Sequence, residues 1–322
     1  MGYCLPERRV ENADLVRELG GTAEVEMAVN ACGVRSRHYA GEGVGPSDLA
    51  KAAAGNALRE ASLDAKGVEF LIFATMTPDV TFPGAGCYLQ DKLGCATVGA
   101  LDVRAQCAGF VFALDVASQF LAAGAYRRIL IAAGDVHSSG LDFSPRGASV
   151  TPLFGDGAAA VLVGDEGDEL LATTIHTDAT EFERFWCEFP SSRRPPTRFL
   201  PEDLPLGKHY PAIDAEFVRR DGKDKIVSAV EEVSAKSGVA RSEIRRYFLQ
   251  HVFRDTALGA AEALGVADRA NVGGLEEGHI ASASLPIAVC RARERGDIQA
   301  GDVICLATAG AGMNWGAALI RM

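Results

Sequence analysis

The period of the apolar positions changes repeatedly along the chain, and each change predicts an element. From Ser47, taken as the N-cap, Leu49, Ala52, Ala53, Leu58 and Ala61 fall on one helical face running to about Ser62. The nearly unbroken apolar run from Phe70 to Thr75 predicts a strand covered on both faces. A helix over about 84–93 follows, then a short strand ending at Asp102-Val103. After Cys107 the pattern predicts a long helix over 108–123 and a strand over 128–133. Phe154–Gly157 then leads into a strand over 158–163. The second half brings helices over about 223–236, 255–264 and 283–295, and strands over 247–250, 302–307 and 315–321. Alternating helices and buried strands predict the α/β class.

Two stretches share an order of small residues, helix, Gly, strand and Gly: CAGFVFALDVASQFLAAGAYRRILIAAG and SASLPIAVCRARERGDIQAGDVICLATAG. Each precedes a Gly-led small-residue strand, GDGAAAVLVG or GMNWGAALIRM. The pattern is that of an internal duplication of about 150 residues with weak identity between the copies. Between the halves, residues 190–211 hold six of the 13 prolines. This predicts a long irregular excursion, of the kind that shapes a pocket or its entrance.

Composition narrows the picture. Apolar residues make up 48% and charged residues 23% of 322, which is globular composition at a length of about two domains. The net charge of −11 argues against general nucleic-acid or anionic-membrane binding. No apolar run approaches the ~18 residues of a membrane helix. The N-terminus has no apolar signal core, so a cytoplasmic protein is expected. None of the eight cysteines forms a CxxC pair, so neither a zinc site nor disulfides are expected.

Cys107 stands apart. It follows an apolar strand and precedes a long helix, whose free N–H groups and macrodipole favour a thiolate. Ala105, Ala108 and Gly109 leave room for an approaching group. A thiol nucleophile needs a partner base. His251 ends an apolar strand and His279 sits in a Gly-preceded turn before a helix, the kind of strand end where α/β sites form. His38, His137, His176 and His209 read as structural or surface residues.

Several segments together resemble the 3-oxoacyl-acyl-carrier-protein synthase III family, ketoacyl synthases of the thiolase superfamily. They are YCLPERRVENADL, GVRSRHYA, TFPGAGCYLQDKLG, DVRAQCAGFVFALDVASQFL, LFGDGAAAVLVG, GHIASASLP and GAGMNWGAALIRM, and they span nearly the whole chain. The resemblance implies a five-layered αβαβα thiolase-like fold from two duplicated halves, residues 1–165 and 166–322. The proline-rich excursion at about 180–215 would lie in the second. It implies Cys107 as acyl-accepting nucleophile and His251 as a catalytic histidine. The backbone N–H groups of Cys107 and Ala311, beside Gly310, would form an oxyanion hole. Arg146 matches an arginine near the thioester carrier, and Phe82-Pro83 match a loop that crosses a homodimer into the partner's pocket.

The departures are specific. His279 stands where the family usually has Asn, as GHIASAS against GNTSAAS. Arg254 replaces the Asn of HQAN, and Ala309 stands where many relatives have Phe, which would open acyl space. Met27 and Ala31 occupy the positions of a Trp and an Arg that sandwich the adenine of coenzyme A. Met1 directly precedes the motif that follows the family's first strand, so that strand is expected to be missing or to lie upstream.

These features imply an acyltransferase that performs decarboxylative condensation of an acyl-Cys107 with a malonyl thioester, in fatty-acid-like or specialised polyketide-type biosynthesis. Its substrates would be thioesters on coenzyme A or acyl carrier protein, with no cofactor or metal. Acyl transfer to an alcohol or amine, or a non-catalytic partner subunit, are the other readings. An acidic carrier would need a local basic surface. Arg241, Arg245, Arg246, Arg254, Arg193, Arg194 and Arg198 are the candidates.

Overall fold

Buried strands with apolar residues on both faces require cover on both sides, and this sets the layering. The computed structural model describes residues 1–193 and 200–322. The first half holds β1 (Gly2–Cys4), β2 (Arg8–Glu11), α1 (Asn12–Glu18), α2 (Ala23–Asn30), β3 (Ser36–Tyr39), α3 (Pro46–Glu60), β4 (Phe70–Ala74), α4 (Ala85–Leu93), β5 (Gly99–Val103), α5 (Gly109–Ala122), β6 (Arg128–Asp135) and β7 (Gly157–Gly164). The second half holds β8 (Glu169–Thr177), β9 (Phe185–Trp186), β10 (Ala212–Ile213), α6 (Ala215–Ser237), β11 (Ile244–Gln250), α7 (Arg254–Ala263), β12 (Ala270–Asn271), α8 (Ser284–Glu294), β13 (Val303–Gly310) and β14 (Asn314–Arg321).

Two five-stranded sheets result, ordered β5-β4-β6-β7-β1 and β12-β11-β13-β14-β8. In both, the first three strands run parallel and the last two pairings are antiparallel. Side-chain alternation assigns the layers. Ile129 and Ile131 of β6 join Ile304 and Leu306 of β13 in a core around α5 and α8. Leu130 and Ala132 pack outward with α3 and α4, and Cys305 and Ala307 pack outward with α6 and α7. The order is αβαβα, with α5 and α8 in the centre.

Four expectations change. The N-cap of α3 is Gly45, not Ser47: Pro46 takes the first helical position and the Asp48 carboxylate accepts from the Gly45 N–H at 3.0 Å. The Ser47 hydroxyl instead donates to Asp79 at 2.6 Å. The first strand is not missing, since Gly2–Cys4 pair with Ala158–Ala160 of β7. Strand β8 escaped the sequence pattern because its burial is mostly partial. Helix α6 begins at Ala215, capped by Asp214 accepting from the Phe217 N–H; its polar first turns and Gly222 masked the start.

Leu130 and Ile131 are adjacent and fully buried, on opposite faces of β6. Leu130→Ala and Ile131→Ala should each cost about 2–5 kcal/mol, read by denaturant unfolding. A near-neutral result for either would show that its layer is not packed on the sheet.

Candidate active site

The site forms where the N-termini of the two central helices meet. Cys107 sits in a 3₁₀ turn, Gln106–Ala108, leading into α5. Ser282 holds the same place in the turn Ala281–Ala283 leading into α8. The residue before each is left-handed, with φ +51° at Gln106 and +37° at Ala281. Side chains rarely adopt that region, and such strain is held only by tight surroundings. The turns touch: a Cβ at Gly109 would lie 3.2 Å from those of Ala74 and Ser282.

Backbone bonds across the halves place His279. Its N–H donates to the Leu153 carbonyl at 2.8 Å, and its carbonyl accepts from the Gly155 N–H at 3.1 Å. A Cβ at Gly155 would lie 2.0 Å from the Glu277 carbonyl oxygen, and Gly278 adopts φ +73° against the Gly155 backbone. The ring then puts Nε2 at 3.1 Å from Cys107 Sγ, while Nδ1 is buried without a hydrogen-bond partner.

Burial decides the protonation states. Desolvation pushes the Cys107 thiol up to about 12, with the nearby Asp135 carboxylate adding to the rise. The N–H groups of Ala311 and Cys107 face the sulfur and oppose the rise without cancelling it. The expected thiolate is therefore corrected: Cys107 rests as a thiol. Asp135, itself raised to about 6 by burial, accepts from Ser282 Oγ, the Met76 N–H and the Thr75 and Thr77 hydroxyls. Burial holds His251 down at about 4. It holds His279 well below its usual value, with His137 and His251 close enough to add to the effect. Both imidazoles are neutral at pH 7.

His251 has a fixed tautomer. The Phe253 N–H donates to its Nδ1 at 3.1 Å, which leaves the proton on Nε2. That Nε2 has no partner, and a Cβ at Gly222 of α6 would come within 2.3 Å of it. Glycine at 222 keeps the donor uncovered. Gly310 lets the 310–312 loop lie on Cys107, since a Cβ there would be 2.5 Å from Sγ. Asn314 holds that loop by donating to the Ala311 carbonyl at 2.7 Å, and Thr177 holds Asn314.

The other expected residues lie further out. Arg146 is half exposed, paired with Asp142 at 2.6 Å, and donates to the Pro205 carbonyl at 3.0 Å. Phe82 is 78% exposed. Ala309 is fully buried in the core with α6. Arg254 begins α7 with its Cβ against Gly33. Arg241, Arg245 and Arg246 do not gather at the site: a strand rises about 3.3 Å per residue, which puts the latter two roughly 17–20 Å from His251. Arg193 is exposed, and Arg194 and Arg198 lie outside the described residues. Met27 is 71% exposed on α2. The excursion is not wholly irregular: β9 pairs with β10 at its base, and Phe185 packs in one cluster with Val252 and Phe253 beside His251.

Sequence reasoning missed Gly222, Asp135, Ser282, Asn314 and the buried His137. The Gly pair at 155 and 278 was visible, but not the close approach it serves. Among the described residues, no group of three His, Cys, Asp or Glu is arranged for a metal, and no helix is long and apolar enough to cross a membrane.

Two family models match, "3-Oxoacyl-[acyl-carrier-protein (ACP)] synthase III" over residues 101–179 and its C-terminal counterpart over residues 234–322. The β-ketoacyl-[acyl-carrier-protein] synthase III of Thermosynechococcus vestitus is 35% identical over 328 residues, covering 100% of this chain and 96% of its own. The chain belongs to the 3-oxoacyl-[acyl-carrier-protein] synthase III family. It superposes on the crystal structure of the Thermus thermophilus β-ketoacyl synthase III with a TM-score of 0.88, at 30% identity and coverage of 100% and 97%. The priming β-ketosynthase of the R1128 polyketide pathway gives 0.86 at 25% identity, covering 99% and 94%. The chain is an acyltransferase of the ketoacyl synthase type. An acyl group passes to a cysteine and condenses, with loss of CO₂, with a malonyl thioester to give a 3-oxoacyl thioester.

A resting thiol at about 12 has a direct signature. Iodoacetamide alkylation of Cys107, followed by peptide mass spectrometry, should climb through pH 10 without the plateau that an ordinary thiol reaches near ~9. The exposed Cys87 serves as reference. A plateau at or below pH 7 would report a resting thiolate instead.

Proposed function

We propose that Cys107 is the acyl-accepting nucleophile, that His279 is its base, and that His251 and His279 then stabilise the malonyl-derived enolate. The observation that carries this is the neutral His279 Nε2 at 3.1 Å from the buried thiol. A thiol that burial keeps protonated must lose its proton as it attacks, and His279 is in reach to take it. Sγ bonds to the acyl carbon and the bond to the donor thiol breaks. The carbonyl oxygen takes hydrogen bonds from the Cys107 and Ala311 N–H groups. In the second half-reaction the bond from the malonyl methylene to its carboxylate breaks. The electron pair passes into the thioester as an enolate, and the Nε2–H groups of both histidines donate to its oxygen. The carbanion attacks the acyl-Cys107 carbonyl and the cysteine thiolate departs. No external electron acceptor is needed, so none of these steps calls for a cofactor.

The malonyl group, and in one version the acyl group, arrives on an acyl carrier protein. The support is the family; Arg254 begins α7, while Arg219 of α6 and Arg35 are each paired with a carboxylate, Asp255 and Glu276, on a chain whose net charge is −11. The exposed Met27 leaves coenzyme A no aromatic or cationic clamp there, which favours the carrier as donor. Incubation with acyl donor and malonyl-carrier should add an acyl mass to Cys107 and release CO₂. Cys107→Ala should abolish the mass shift. His251→Ala should retain loading but lose at least ~10²-fold in CO₂ release. Loading without any decarboxylation in the native enzyme would overturn the condensation half.

The same reading makes the enzyme a homodimer. Edge strand β5 is exposed along most of its length and, among the described residues, pairs only with β4, the kind of edge that adds a second strand. Asp102 of β5 accepts from the Ala85 and Gly86 N–H groups and ties the Phe82–Gly84 turn to this edge. Pairing β5 with its copy would cover Leu101 and give Phe82 a pocket. Phe82→Asp with Leu101→Lys should yield a monomer in sedimentation. Unchanged mass would sink the assignment of this edge.

A further inference from the structure

The two half-reactions ask opposite things of one nitrogen. As base for Cys107, His279 needs an unprotonated Nε2, and as donor to the enolate it needs Nε2–H. For His251 the matter is closed, because the Phe253 N–H occupies its Nδ1. No backbone group occupies Nδ1 of His279, which is buried and unpartnered. The tautomer of His279 is therefore open, and a group able both to take and to give a proton at Nδ1 would govern it.

His137 is such a group. It follows β6 and is 5% exposed, and its Nε2 is also buried without a partner. Its ring lies on Phe154, centroids 4.8 Å apart, and Phe154 in turn meets the His279 ring at 6.0 Å. Phe154 is also the bridge partner of His279 in the backbone. Phe154 thus contacts both imidazoles. A buried ring nitrogen left unpaired is costly unless something joins it to a partner. Asp156 supplies the charge. Fully buried, it accepts from the Ala40 N–H at 2.7 Å and the Ser138 N–H at 3.0 Å, and it partly opposes the burial that holds His137 down at about 4.

We propose that His137 is a positioning residue that relays a proton, through a bridging water, to and from Nδ1 of His279 and so sets its tautomer between the two half-reactions. This rests on the reading of His279 as the base of Cys107. In loading, the thiol proton passes from Sγ to His279 Nε2 while the Nδ1 proton leaves through the water to His137 and on to solvent. The departing thiolate of the donor takes a proton from solvent, so charge and protons balance. His279 finishes loading with Nε2–H, the form that donates to the enolate.

The test uses the full-length enzyme and the acetyl thioester of N-acetylcysteamine, with loading followed by the mass on Cys107. In mixtures of light and heavy water, the native loading rate should curve with deuterium fraction, because more than one proton moves. His137→Phe should slow loading roughly 10-fold or more and make that dependence linear. His137→Gln, whose amide both donates and accepts, should recover part of the rate. Malonyl decarboxylation in a Cys107→Ala background, which needs no thiol proton transfer, should fall far less than loading does. A linear dependence in the native enzyme would overturn the relay, as would equal loss of both activities in His137→Phe or a Gln variant no better than Phe. Native enzyme that takes no acyl group on Cys107 would sink the base assignment itself, a different result from any of these.

Discussion

The site depends on a join of two backbone hydrogen bonds. The His279 N–H to the Leu153 carbonyl and the Gly155 N–H to the His279 carbonyl tie a loop of the first half to the turn before α8. Neither half holds both side chains: Cys107 precedes α5, and His279 precedes α8. Their 3.1 Å separation exists only while the two segments run side by side. That closeness excludes side chains. A Cβ at 155 would lie 2.0 Å from a carbonyl oxygen, and one at 278 would press 2.8 Å from the Gly155 nitrogen. Some of the chain's 35 glycines are thus a consequence of pressing two backbones together.

Desolvation is the second constraint, and it outweighs the local dipoles. Cys107 sits where helix N–H groups favour an anion, yet burial and Asp135 leave it a thiol. The same burial leaves both histidines neutral. A thiol and two imidazoles that are uncharged at rest are cheaper to bury than an ion pair. The site can hold a thiolate or an enolate only briefly, with a hydrogen bond waiting for each. Donors that need no reorganisation, such as His251 Nε2–H over Gly222, stabilise such charge most.

The fold was legible because most sheet strands are apolar on both faces. The runs at 70–75, 128–133 and 302–307 mark β4, β6 and β13 with small errors at their ends. What escaped was set by tertiary contact. Strand β8 is only partly covered. Gly45 rather than Ser47 caps α3 because Pro46 prefers the first helical position. Motif and position pointed to Cys107, His251 and His279, and the fold brings the His279 ring to 3.1 Å from Cys107 Sγ. The arginines at 245 and 246 were misplaced because nearness in sequence along an extended strand is distance in space. His137 carries no motif, and an isolated histidine between a strand and a serine pair gives no sign that its ring will meet Phe154, which also meets His279.

Histidine at 279, where the family usually has asparagine, then has a physical meaning beyond substitution of one donor for another. An amide at that place can donate to a thioester oxygen, but it cannot take a proton from a thiol pushed up to about 12. An imidazole can do both, provided its second nitrogen is free to exchange. That nitrogen is free here, where the corresponding nitrogen of His251 is not. The buried thiol, the neutral imidazole, its open Nδ1 and the unpaired His137 form one arrangement, in which removing any member returns the burden of deprotonation to solvent that the fold excludes.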